Sequence, residues 1–143
     1  MSAAVRAAAA QPRALYRRRV RPGRCYEVAC SIVLDLWEDG VQGTLAHAVV
    51  YHPLHRRWIG HAWAEIDGSV YDLTIRREPY SFELYRRLYV TDPARVRRYT
   101  ADEAARALLA AGHYGPWPGD PTAESSVGPA PGPIGEAQCG LPY

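Results

Sequence analysis

The sequence predicts an α+β domain, with helices packed on one small antiparallel sheet. Three observations predict it. A run with helical periodicity occupies residues 24–38, three short β-type runs with tight turns follow it, and a capped helix closes the pattern near residue 111. Strands grouped between helices, rather than alternating with them, favour an antiparallel sheet over a parallel one.

Each element follows from its own residues. Arg21-Pro22-Gly23 breaks the chain, and Cys25, Ala29, Ile32, Val33 and Leu36 then recur at helical spacing until Asp39-Gly40 stops the run. Residues 43–51 are rich in Val and small side chains and read as a buried strand. Residues 52–57 form a turn, and 58–66 a second strand. Asp67-Gly68 is a strong hairpin signal, with 69–75 as the return strand. Beyond Pro79, Ser81 is placed to cap a short helix over 82–89. Asp92-Pro93 reads as a turn, and 95–99 as one more strand. Thr100 to Glu103 has capping-box form and opens a helix that runs to Ala111, where Gly112 ends it.

The 143 residues fit one domain with unstructured ends. Residues 1–20 are an Ala- and Arg-rich leader without periodicity, and 21–115 are the folded unit. From Pro116 to the end, Pro and Gly dominate and aliphatic side chains are sparse, so 116–143 is expected to be a disordered tail. No stretch approaches the ~20 apolar residues of a membrane span. The short all-Ala segment of the leader, with Arg residues after it, makes a poor secretory signal. Three cysteines are an odd number, and Cys139 falls in the tail, which argues against a disulfide framework. A cytoplasmic protein without a membrane partner is the expectation.

The net charge of +2 conceals an asymmetry. Every basic residue is Arg, and seven precede Cys25 (Arg6, Arg13, Arg17, Arg18, Arg19, Arg21 and Arg24) with no acid among them. Such an arm suits weak contact with nucleic acid or another polyanion, and equally a solvated extension.

Chemistry centres on Cys25. A thiol is a poor nucleophile until ionised, and a helix N-terminus or a nearby imidazolium favours the ionised form. Cys25 falls in the first turn of its helix. Cys30 lies mid-helix and reads as a small core residue. Taken alone, Cys25 admits a structural reading; His61 weighs against it. With a two-residue loop at Asp67-Gly68, Ile66 faces Ser69, Trp63 faces Asp72 and His61 faces Thr74. His61 and Asp72 then share a sheet face as diagonal neighbours, at the ~7–8 Å spacing that long side chains bridge. Asp72 is thereby placed to orient the His61 ring, as in a nucleophile–base–orienter set. A three-residue loop would put the two on opposite faces. Without any chemistry, the same residues read as a strand histidine satisfied by a carboxylate. Trp63 is mainly core, although beside a base it also excludes water.

Arg-Cys-Tyr at a helix start, then Gly-His-Ala-Trp-Ala-Glu on a strand, then Val-Tyr-Asp-Leu-Thr on the next resembles the transglutaminase-like branch of the papain-like fold. It is also similar to small uncharacterised bacterial and phage proteins with the same three blocks. The resemblance covers Arg24 to Thr74. It implies a papain/transglutaminase-like core with the Cys-bearing helix on the sheet. It also implies acyl transfer or amide and peptide hydrolysis on a peptide or amide-containing substrate, without a cofactor, by Cys25 as nucleophile, His61 as base and Asp72 as orienter. Papain-like enzymes often carry a Gln shortly before the Cys as an oxyanion donor. Here that region is Arg- and Pro-rich, so the Cys25 N–H, Gln42 and His47 are the candidates.

Two other readings compete. His47, His52, His55 and His61 lie close in sequence, but no metal-binding motif supports them, and the sequence assigns no metal. The same fold could also be a non-enzymatic binding module that presents the Arg arm with Arg56, Arg57, Arg76 and Arg77 to nucleic acid or a protein partner.

Overall fold

The computed structural model describes residues 24–52 and 56–122. Among them the chain is α+β: helix α1 (Cys25–Glu38), strands β1 (Thr44–His52), β2 (Arg57–Ile66), β3 (Ser69–Tyr71) and β4 (Tyr80–Ser81), helix α2 (Phe82–Leu88), strand β5 (Val90–Thr100) and helix α3 (Ala101–Ala111). The sheet has the order β4-β3-β2-β1-β5, and every neighbouring pair is antiparallel. The first four strands form a meander. The chain then crosses one sheet face through α2 and adds β5 at the far edge. No helix among the described residues is long and apolar enough to cross a membrane.

Both faces of the sheet are covered, and the strand alternation sorts the side chains. On one face Leu45, Ala62, Ala64, Tyr71 and Tyr99 pack under α1 and α3 with Val28, Ala29, Ile32, Val33 and Leu36. On the other, Ala46, Ala48, Val50, Trp63 and Val70 pack with Tyr80, Tyr85 and Tyr89, which belong to β4, α2 and the residue after it. Local signals close the elements as expected. Gly40 at φ 78° ends α1, where the Val41 N–H donates to the Leu36 carbonyl and the Gly40 N–H to that of Trp37, a Schellman-type cap. The Ser81 and Thr100 side chains accept from the N–H groups of Leu84 and Glu103 to open α2 and α3. Asp67 and Gly68, at φ 50° and 75°, make the two-residue hairpin turn that pairs Ile66 with Ser69.

Three expectations need correction. The return strand stops at Tyr71 rather than at residue 75, because the Asp72 side chain accepts from the Thr74 N–H and hydroxyl, and its carbonyl accepts from the N–H groups of Ile75 and Arg76. Those bonds turn the chain out of the ladder. Asp92-Pro93 is no separating turn but part of β5. There residues 92–95 face only Val49 in a bulge, and Pro93 is tolerated because β5 is an edge strand. Residues 116–122, assigned to the tail on composition, pack onto the domain: Trp117 and Asp120 are 3% and 0% exposed, and Thr122 is buried. Pro and Gly content had suggested disorder, but one Trp and two satisfied polar side chains are enough to anchor the segment. Residues 1–23, 53–55 and 123–143, with the Arg arm before Arg24, His55 and Cys139, lie outside the described residues.

Ending the chain after Gly115 removes Trp117 and strips buried His47 of its Asp120 partner. Leaving a buried polar group unsatisfied costs about 1–3 kcal/mol, and loss of a buried Trp side chain about 3–5 kcal/mol. The Tm is therefore expected to fall by more than about 10 °C, or the domain not to fold; an unchanged melting curve would show that the segment's packing contributes nothing.

Candidate active site

Cys25 is the first residue of α1 and is partly buried. Among the described residues no side chain caps this helix end, so its first backbone N–H groups and the positive end of the helix dipole lie next to Cys25. His61 lies on β2 opposite Ala48, beyond the point at which β3 stops, since β3 pairs with β2 only from Ala64 to Ile66. The shortness of β3 therefore leaves the edge of β2 beside His61 unpaired by β3. Asp72 follows the last residue of β3 and meets His61 across the turn.

The three residues are joined through the imidazole. His61 Nε2 is 2.6 Å from Asp72 Oδ2. The Cys25 thiol is near enough to the imidazole to act on it, and it raises His61 alongside Asp72. Asp72 is 1% exposed and would be costly to bury charged if unpaired. Its Oδ2 also accepts from the Tyr85 hydroxyl at 2.7 Å, and Oδ1 accepts from the Thr74 hydroxyl at 2.5 Å and from the Thr74 N–H at 3.3 Å. Burial works to raise the Asp72 carboxyl, but the His61 charge and these hydrogen bonds outweigh it and hold the group below its ordinary range. For His61, burial works downward and the Asp72 carboxylate, with the Cys25 contact, outweighs it, lifting the imidazole to about 10. The ring is thus an imidazolium at neutral pH. Tyr89 stacks against it at 6.1 Å between centroids, and Trp63 lies 6.3 Å away.

Other candidates fall elsewhere. Gln42 is exposed in the loop between α1 and β1, at the opposite end of α1 from Cys25, and so cannot serve as an oxyanion donor there. His47 faces the other side of the sheet, where its Nδ1 is 2.5 Å from Asp120 Oδ2. The alternation of β1 decides this, because His47 pairs with Ala62, one position out of phase with His61. Trp63 is core: it packs on Tyr85 at 5.1 Å and donates through Nε1 to Glu65. Cys30 is fully buried, and burial pushes its thiol up to about 11. Among the described residues no three His, Cys, Asp or Glu side chains gather to hold a metal ion, and His47 and His61 are on opposite faces. Of the Arg residues suited to a polyanion, Arg76 is engaged within the fold, over the Tyr80 ring at 3.5 Å and on the carbonyls of Glu78 and Pro79.

Sequence reasoning missed Tyr85, Tyr89 and Thr74. Thr74 carried a local signal, since an acid two residues before a Thr often accepts from its N–H and hydroxyl. Tyr85 is brought to Asp72 by α2, an element whose docking face no local pattern specified.

No known protein family, curated protein or solved structure matches the chain.

The His61–Asp72 pair makes stability depend on pH in a defined direction. His61 is raised, so its contribution is complete below the unfolded imidazole range and is lost as pH climbs toward about 10. Asp72 is lowered, so the same interaction, seen from the other end, is present above the unfolded carboxyl range and is lost as pH falls below it. Urea unfolding is expected to show the stability difference between wild type and His61→Ala shrinking as pH rises from about 7 to 10. A difference that grows over that range would contradict the ion pair.

Proposed function

We propose that the protein is a thiol-dependent enzyme with a papain/transglutaminase-like core, carrying out acyl transfer or amide and peptide hydrolysis. One observation supports the reading above the rest: a single buried imidazole is hydrogen-bonded to a carboxylate and also interacts with a thiol at a helix N-terminus. A histidine kept only for packing needs one partner. Here the second partner is a nucleophile, carried by the first residue of α1.

In this mechanism the Cys25 sulfur, ionised against the His61 imidazolium, attacks a substrate carbonyl carbon. The carbonyl oxygen takes the negative charge and is met by the Cys25 backbone N–H. Collapse of the adduct breaks the bond to the leaving amine, which takes a proton from His61 and departs, leaving a thioester on Cys25. Neutral His61 then removes a proton from water or an incoming amine as it attacks the thioester, and the thiolate is released. Asp72 holds the ring orientation and stabilises its charged form in both halves, with Tyr85 and Thr74 fixing the carboxylate.

Iodoacetamide labelling followed by peptide mapping tests the reading. Near pH 7 Cys25 is expected to alkylate at least about tenfold faster than Cys30, which is fully buried and whose thiol burial pushes up to about 11. His61→Ala is expected to slow Cys25 strongly, and Asp72→Asn less, because the ring remains. The double variant should be no slower than His61→Ala, since the two residues act through one another. Equal labelling of the two cysteines, or a Cys25 rate indifferent to His61, would remove the nucleophile assignment and favour a binding module.

A further inference from the structure

Behind the proposed site, on the opposite face of β1 and β2, lies a second buried His–Asp pair in which the reaction has no direct part. His47 pairs with Ala62 and His61 with Ala48, so the two histidines sit at adjacent levels of one ladder, back to back across the sheet. Asp120 Oδ2 meets His47 Nδ1 at 2.5 Å and accepts from the Tyr99 hydroxyl at 2.9 Å. Its Oδ1 accepts from the Thr122 N–H at 2.9 Å and the Thr122 hydroxyl at 2.7 Å. Thr122 is in turn hydrogen-bonded with the Tyr26 side chain, and Tyr26 follows Cys25 in the first turn of α1.

We propose that His47, Asp120, Thr122 and Tyr26 form a positioning network that holds the Cys25 sulfur against His61, so that residues 116–122 complete the active site from behind. The proposal rests on the reading of Cys25 as the nucleophile. Three features carry it. Among the described residues no side chain caps the start of α1, and the exposed ion pair of Arg24 with Glu27 at 3.6 Å is a weak one. Tyr26 provides the fastening instead, its hydroxyl bonded to Thr122 and its ring edge-on to His47 at 4.8 Å. The same Tyr26 hydroxyl lies where a side chain on Gly60 would begin, 2.6 Å from an ideal Cβ, and Gly60 immediately precedes His61. One side chain therefore touches the backbone next to the base while being covalently next to the nucleophile. The network is also a costly way to fill a core. Burying polar side chains costs free energy that apolar packing does not, and His47 Nε2 is left as a buried atom without a hydrogen-bond partner among the described residues. What the polar chain supplies is directional geometry, passed from β1 through the C-terminal segment to the first turn of α1.

The test uses the full chain and the rate of Cys25 alkylation at about pH 6.5 divided by that at about pH 9, a ratio that reports contact with the imidazolium rather than simple accessibility. Thr122→Val, which keeps shape and loses the hydroxyl, and Tyr26→Phe are each expected to lower the ratio about tenfold. Thr122→Ser is expected to retain it, and neither variant should lower it further in a His61→Ala background. A ratio unchanged in Tyr26→Phe and Thr122→Val, while His61→Ala lowers it, overturns the positioning role and leaves the nucleophile reading standing. An equal fall with and without His61 also overturns it, since the network would then be merely structural. No effect of His61→Ala overturns both, because there would be no contact to position. Should Thr122→Val fail to fold, Tyr26→Phe, which deletes one hydroxyl, decides the matter.

Discussion

Covering both faces of the sheet is the constraint on which the rest depends. β1 and β2 are interior strands with α1 and α3 on one side and α2 on the other, so polar side chains on them lose water whichever way they point. His47 and His61 point opposite ways, and each is buried. A buried imidazole without a partner is expensive, and each receives a carboxylate from a segment outside the two strands. Asp72 arrives from the turn after β3 and Asp120 from the C-terminal segment. The pairs solve the same problem, but only one of them also meets a thiol.

Asp72 shows how such a solution is held. Two bonds on each carboxylate oxygen keep it ionised at full burial and fix its plane, which in turn fixes the imidazole. The bonds to Thr74 are local and end β3. The bond to Tyr85 is long-range and ties the carboxylate to α2. The stop of β3 and the setting of the ring are thus one event: the turn that places Asp72 also leaves the edge of β2 at His61 clear of β3.

The Tyr-rich face beneath α2 and the aromatic cluster beneath α1 serve these two pairs unequally. Tyr85 and Tyr89 touch Asp72 and His61 directly, whereas Tyr99 and Trp117 enclose His47 and Tyr26 carries the contact on toward Cys25. Aromatic side chains suit this role because each fills volume while its polar tip satisfies a buried group.

The sequence by itself determined whatever depends on neighbours along the chain. The helical spacing of Cys25 to Leu36, the Asp39-Gly40 stop, the Asp67-Gly68 turn and the caps at Ser81 and Thr100 are set by local backbone preference, and all occur where those residues predict. The two-residue loop fixes the pairing of Ile66 with Ser69, but Asp72 lies past the end of β3, so the turn at Asp72 rather than strand alternation carries it to His61. Tertiary structure alone decided that Pro93 would lie within an edge strand, that Tyr85 would reach Asp72, and that a Pro- and Gly-rich segment would return to seat Asp120 on His47. Each of these turns on a partner many residues away, and no local pattern encodes the free energy of satisfying a buried polar group at that distance.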